Sequence, residues 1–193
     1  MNERPSLRSL AEKYSVDKLY SHSYIPVYEE LFKGMNVRRV LEIGIGYEGL
    51  MTPFVPRYVH GASLRMWAEY WPEAWIYGCD IREDTMFKDN PRIRTLVCDQ
   101  SSTESLRKMA EEIGGDLFDV VIDDGSHQYE HQWLTATALL PYVAKGGVYI
   151  VEDTYADKGA QLAKEFGGSF ICGDKRADDC LMIVKKGGST CLI

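Results

Sequence analysis

The spacing of apolar and polar positions divides the chain into a helical opening and a long alternation of strands and helices. Leu7, Leu10, Ala11 and Tyr14 recur at three- and four-residue intervals, as do Tyr24, Val27, Tyr28, Leu31 and Phe32. This spacing predicts helices over 6–14 and 23–33, the second ended by Gly34. The polar and aromatic segment between them, 16–24, reads either as a connector or as a flap over a site. From Val40 onward, short apolar runs predict strands at 40–43, 75–80, 92–98, 117–122 and 148–151. Helical patterns lie at 61–71, 103–113, 128–143 and 158–166, with Ser63 the expected N-cap of the first and Pro72 its stop. Pro53 and Pro56 mark the stretch after the first strand as a long loop. Two final runs, 168–172 and 180–185, are joined by a charged loop and predict an antiparallel pair.

Seven strands interleaved with helices predict an α/β fold: a mostly parallel sheet with helices on both faces and an antiparallel C-terminal strand. Ligands of such sheets bind beyond the carboxyl ends of the strands. Composition narrows the picture further. At 193 residues and 45% hydrophobic content, residues 1–193 fit a single domain, with 1–36 as N-terminal helices or flap packing on the core. Lys and Arg number 22 against 29 Asp and Glu, a net charge of -7, with no basic run longer than two, which argues against a nucleic-acid partner. The N-terminus lacks the apolar core of a signal peptide, and no apolar stretch approaches the ~18 residues of a membrane span, so a soluble, cytoplasmic protein is expected. The five cysteines are odd in number and lack CxxC spacing, which reads as buried reduced thiols rather than ligands or bridges. Cys191 stands third from the end, so 190–193 is not a prenylation box.

The candidate chemistry gathers where strands end. Val120-Val-Ile-Asp-Asp-Gly-Ser-His127 closes an apolar run with two carboxylates and an imidazole, and Gly147-Val-Tyr-Ile-Val151 runs into Glu152-Asp153. Parallel neighbours would bring four carboxylates to one sheet edge, and their mutual repulsion calls for a cation among them. Any single Asp here could equally be a helix cap.

Gly44-Ile-Gly46-Tyr-Glu-Gly49 spells the dinucleotide-binding fingerprint, but Pro53 and Pro56 work against the helix that the fingerprint requires. The acidic partner expected ~20 residues on is also absent, Asp80 lying 31 positions after Gly49. Glu42-x-Gly44-x-Gly46, then Asp80 closing the second strand and Asp99-Gln100 after the third, suits a nucleoside bearing a charged amino acid: S-adenosylmethionine. Glu42 can balance its ammonium directly or through water, Asp80 can accept both ribose hydroxyls, and Asp99-Gln100 can bond the adenine edge. Ser63 and Asp123 complete the residues expected at the cofactor.

Taken in order, Leu41-Glu-Ile-Gly-Ile-Gly-Tyr47, Gly61-Ala-Ser-Leu-Arg-Met-Trp67, Ile76-Tyr-Gly-Cys-Asp-Ile81, Asp99-Gln100, Ile122-Asp-Asp-Gly-Ser-His127 and Val151-Glu-Asp153 resemble the metal-dependent sugar O-methyltransferases of macrolide biosynthesis. These include the mycinamicin and demethylmacrocin deoxysugar methyltransferases. The resemblance runs from about Asp17 to Asp153 and covers the catalytic module alone, the macrolide enzymes carrying a further N-terminal domain that helps build the oligomer and the acceptor site. It implies the Rossmann-like class I methyltransferase fold, magnesium bound by Asp124, Glu152 and Asp153, and His127 as general base. The acceptor is then a sugar or glycoside: a macrolide deoxysugar, or a precursor of a methylated oligosaccharide or polysaccharide. A homo-oligomer is compatible with the sequence.

A sugar hydroxyl is a poor nucleophile, and a divalent cation held by oxygens can chelate vicinal sugar oxygens and lower the pKa of one. His127, three residues after Asp124, is placed to take the proton, its alternative being a helix-capping or surface histidine; His22, His60 and His131 keep that plainer role. The carboxylates suit magnesium or manganese over zinc, because no Cys/His pair has ligand spacing. The competing readings are a catechol-type O-methyltransferase, a dinucleotide-dependent oxidoreductase and a non-catalytic binding module. The prolines count against the second, and the grouping of Asp124, His127 and Glu152-Asp153 against the third.

Overall fold

A computed structural model describes residues 5–55, 57–115 and 117–187; Cys191 and the 190–193 segment lie outside them. The strands are β1 (Arg39–Ile43), β2 (Trp75–Asp80), β3 (Ile93–Val97), β4 (Phe118–Asp123), β5 (Val143–Val151), β6 (Ser169–Cys172) and β7 (Cys180–Lys185). The helices are α1 (Leu7–Tyr14), α2 (Asp17–Tyr20), α3 (Tyr24–Leu31), α4 (Glu48–Met51), α5 (Ala62–Tyr70), α6 (Thr103–Glu112), α7 (Tyr129–Leu139) and α8 (Ala156–Phe166). The strands form one sheet in the order β3-β2-β1-β4-β5-β7-β6. Pairing is parallel from β3 to β5, and β7 runs antiparallel to both β5 and β6. This is the class I methyltransferase fold, as expected from the alternation of elements.

The two-residue period of the strands explains why both faces are covered. In β1, Val40 faces a core shared with Leu7 and Leu10 of α1, Tyr28 of α3 and Trp67 of α5. Leu41 and Ile43 point the other way, toward Leu106 of α6, Leu139 of α7 and Leu162 of α8. With apolar residues on both sides, such strands read as continuous hydrophobic runs. The order reverses at β1, which pairs with β2 on one side and β4 on the other, and ligands of doubly wound sheets bind at that switch point. In register, Ile43 lies beside Cys79 and Asp123, and Asp123 beside Val151. Gly44, Asp80, Asp124 and Glu152 therefore leave the sheet along one edge.

Several expectations need correction. Ser63 does not cap α5: Gly61, at φ 67, is the N-cap and makes no side-chain cap bond, while Ser63 sits inside the first turn. The helix expected over 128–143 stops at Leu139, followed by a 3-10 turn over Leu140–Tyr142 with Pro141 in its first positions. β5 accordingly begins at Val143, which pairs with Phe118 across a bulge. The 47–60 loop carries one helical turn, α4, ahead of Pro53. Cys172 and Cys180 are not reduced thiols. They are direct partners in the β6–β7 register and form a disulfide, while Cys79 and Cys98 are free and buried.

Candidate active site

Gly44 lets the β1 loop cross the β4 loop at the switch point, and Gly46 lets it pack against Tyr58. Gly44 has φ +94, and a Cβ there would stand 1.9 Å from the carbonyl oxygen of Asp124. Gly46 has φ +70, and its Cβ would meet the Tyr58 hydroxyl at 2.7 Å. Only glycine meets both the dihedral and the space requirement. The Asp80 carboxylate holds the loop from the side: one oxygen accepts the Ile45 N–H at 3.0 Å and the other the Arg82 N–H at 3.0 Å.

Beyond the strand ends lies a cavity of about 410 Å³. Gly44, Gly46, Ser63, Asp80, Asp99 and Gln100 line it together with Asp124 and His127. Glu42 and Asp123 are fully buried and absent from its lining. Glu42 accepts the Trp67 indole N–H at 2.5 Å, and its other oxygen has no hydrogen-bond partner, the Lys18 ammonium standing 3.4 Å away. Asp123 accepts the Gln100 amide N–H, and burial pushes its pKa up to about 7. Gln100 also accepts the Ser126 N–H at 2.8 Å, so its amide ties the end of β3 to the turn after β4. Asp99 is occupied by the backbone and hydroxyl of Ser101.

The acidic end is built from the turns that follow β4 and β5. Asp124 Oδ1 lies 3.2 Å from His127 Nε2, and His127 Nδ1 lies 3.7 Å from Asp153 Oδ2. One ligand atom from each of Asp124, His127 and Asp153 falls within a span of 4.8 Å. His127 (φ 57) and Asp153 (φ 51) both adopt the left-handed backbone, at a cost of order 1 kcal/mol each. Glu152 is not in this group: Oε1 accepts the Tyr28 hydroxyl, and Oε2 accepts Lys18 Nζ at 2.9 Å, the same ammonium that reaches Asp124.

Burial, then the neighbouring Asp124, pushes the Asp153 pKa up to about 7. Burial works against the His127 charge, but the Asp124 hydrogen bond and the charges of Asp124 and Asp153 outweigh it and raise the pKa to about 9. Burial likewise opposes ionisation of Asp124, yet Lys18 and His127 hold that carboxyl well below its ordinary range.

The 16–24 segment packs against this acidic end, the second of the two roles its sequence allowed. It supplies Lys18, wholly buried, with Nζ 2.7 Å from Asp124 Oδ2. It also supplies His22, buried between Asp153 (3.3 Å) and Asp179 (3.5 Å) rather than on the surface. The Tyr24 hydroxyl donates to Asp153 Oδ1 at 2.9 Å and accepts the Asp153 N–H at 3.1 Å. Tyr24 and Tyr28 are four apart on α3, and that spacing is the one signal that both hydroxyls could share a target. His131 also lines the cavity, its Nδ1 2.8 Å from the Ser126 hydroxyl.

No family model matches the sequence. Among curated proteins the chain is 39% identical over 149 residues to the 8-demethyl-8-alpha-L-rhamnosyl tetracenomycin-C 2'-O-methyltransferase of Streptomyces olivaceus. It is 38% identical over 161 residues to the mycinamicin VI 2''-O-methyltransferase of Micromonospora griseorubida. It is 40% identical over 155 residues to the demethylmacrocin O-methyltransferase of Streptomyces fradiae. The chain is homologous to one part of these sugar O-methyltransferases. The three alignments take 77%, 80% and 79% of this chain but 38%, 37% and 37% of the relatives, so it spans under two fifths of their length.

A solved structure of the MycE methyltransferase of mycinamycin biosynthesis, in complex with Mg and SAH, matches with a TM-score of 0.65 at 39% identity. That match covers 78% of this chain and 40% of the other. The apo structure of CalS11, a TDP-rhamnose 3'-O-methyltransferase, covers 97% of each chain with a TM-score of 0.55 at 12% identity, a likeness of fold alone.

Proposed function

We propose that this chain transfers the methyl group of S-adenosylmethionine to a hydroxyl of a sugar or glycoside, with a divalent cation, magnesium or manganese, at the acidic end of the cavity. The observation that carries this reading is the single cavity shared by the glycine loop, Asp80 and Asp99-Gln100 with Asp124 and His127. Methyl donor and acceptor can meet in one space there. Homology to named sugar O-methyltransferases supports the same reading.

The parts divide as follows. Gly44 and Gly46 line the cavity where the donor would lie, and Asp80 has lone pairs left for ribose hydroxyls after accepting two backbone N–H groups. Gln100 acts on the turn after β4, where its amide holds Asp123 and Ser126. Glu42 contributes from behind the wall, through the charge of its unbonded oxygen.

The oxygen donors of Asp124 and Asp153, beside the imidazole of His127, fit a hard divalent ion, with Glu152 held next to them by Lys18. Such an ion, when bound, supplies Lewis acidity toward the acceptor oxygen. His127 takes the hydroxyl proton as the oxygen attacks the methyl carbon and the carbon–sulfur bond breaks. The products are a methyl ether and S-adenosylhomocysteine, with the proton on the imidazole. The carboxylates that keep His127 protonated are those that would hold the ion, and neutralising them frees the imidazole to act as a base.

The test is mass spectrometry of a panel of glycosides incubated with S-adenosylmethionine and magnesium. One glycoside should gain the mass of one methyl, and excess chelator should abolish the gain. Full transfer in chelator would exclude the metal, and transfer only to catechols would move the acceptor to the phenolic class.

A further inference from the structure

Lys18 sits among more negative charge than one ion pair requires. Its Nζ lies 2.7 Å from Asp124, 2.9 Å from Glu152, 3.4 Å from Glu42 and 3.9 Å from Asp17, and the side chain is 0% exposed. Four carboxylates converging on one point form the donor set of a hard divalent cation more than that of a single ammonium. Asp124 is shared between two positions. Oδ2 accepts Lys18, while Oδ1 faces His127 within the Asp124, His127 and Asp153 group. A carboxylate divided in this way matches the bridging ligand of a two-cation centre.

The lysine is held in place at both ends of its short helix. Its own N–H donates to the Asp17 carboxylate at 2.9 Å, and Lys175 Nζ donates to the carbonyls of Leu19 and His22 at 2.5 and 2.7 Å.

We propose that Lys18 is a built-in second cation, occupying the position a second divalent ion would otherwise take, so that the cluster accepts one ion and accepts it on the Asp153 side. This rests on the divalent-ion reading above. Because the ammonium is covalently part of the chain, Asp124 and Glu152 are oriented before any ion arrives, and Glu42 is joined electrostatically to the acidic end of the cavity. Lys18 is in these terms a positioning residue.

The experiment replaces the charge while keeping the length of the side chain. Wild type, Lys18→Met and Lys18→Arg are dialysed and titrated with Mn²⁺ by calorimetry, with electron paramagnetic resonance and melting curves recorded at each step. Wild type and Lys18→Arg should bind one Mn²⁺ per chain. Lys18→Met should bind two, give the broadened signal of coupled ions sharing Asp124, and show a melting temperature that depends far more on Mn²⁺ than that of wild type. A Lys18→Met chain that folds only with Mn²⁺ present gives the same support, since the ion has then replaced the ammonium. Overturning results are one Mn²⁺ bound to Lys18→Met at wild-type affinity, or a variant that stays unfolded at millimolar Mn²⁺. Wild type that binds no Mn²⁺ removes the divalent-ion reading itself, an outcome visible before any variant is made.

Discussion

Asp80 both shapes the glycine loop and faces the cavity, so removing it disturbs the donor site in two ways. Asp80→Ala leaves the Ile45 and Arg82 N–H groups without their acceptor and withdraws the oxygens offered to ribose. Affinity for S-adenosylmethionine is expected to fall by at least tenfold, about 1.4 kcal/mol, as read by calorimetry; unchanged affinity would displace the donor from this cavity. His127 poses a sharper question, because its ring lies close enough to Asp124 and Asp153 to be a metal ligand as well as a base. As a base alone, His127→Ala should lower kcat by about 10²-fold or more and leave Mn²⁺ affinity near wild type. As a ligand, it should weaken Mn²⁺ binding as well, so one titration of the variant separates the two. Residues that close strands could be found from the sequence, because a polar side chain at the end of an apolar run must emerge at the sheet edge. Lys18 could not, since nothing local distinguishes a buried lysine from a solvated one until the carboxylates of three other segments are seen around it.

At the level of elements, the sheet was the readable part and the single-turn helices were not. The ends of β2 and β7 match the apolar runs because a strand buried on both faces writes itself as an uninterrupted hydrophobic segment. α2 and α4 have four residues each, too few for a 3.6-residue period to repeat. α2 nevertheless carries Lys18, so the segment with the weakest pattern supplies the buried ammonium of the site. The crossing of the β1 and β4 loops depends on glycine in a way that can be measured. Gly44→Ala would force a left-handed residue and drive a methyl into the Asp124 carbonyl. The expected cost is roughly 2 kcal/mol or more in denaturant unfolding, together with loss of S-adenosylmethionine binding. A variant with wild-type stability and affinity would show that the two loops can separate without consequence.

Across the whole molecule, buried polar contacts add to the apolar core that joins the N-terminal helices to β5 and β7, and Asp179 is central among them. Its carboxylate is 0% exposed, accepts the Ser23 N–H at 2.8 Å and the Lys175 N–H at 3.1 Å, and faces His22 at 3.5 Å. Burial alone would raise its pKa, but these hydrogen bonds and the His22 charge outweigh it and hold the folded value below the ordinary one. An acid with a depressed folded pKa stabilises the fold above its unfolded pKa of about 3.9 and loses that contribution as pH falls through the lower folded value. Asp123 and Asp153, both pushed up to about 7, contribute with the opposite sign as pH rises toward neutrality, so the pH dependence of wild type alone cannot isolate Asp179. The difference between wild type and Asp179→Asn can, because the other groups are common to both chains. An asparagine keeps one acceptor oxygen and turns an N–H₂ toward a backbone donor, so the variant should be less stable at pH 7 by roughly 1–3 kcal/mol, a fall of several degrees in Tm. The gap should narrow as pH drops below about 4, where the unfolded-state carboxyl protonates and the advantage of the folded carboxylate declines. Melting curves from pH 7 to pH 3 read this directly. A gap that stays constant across the range would mean that Asp179 acts through shape alone, and that the attachment of the N-terminal helices does not depend on its charge.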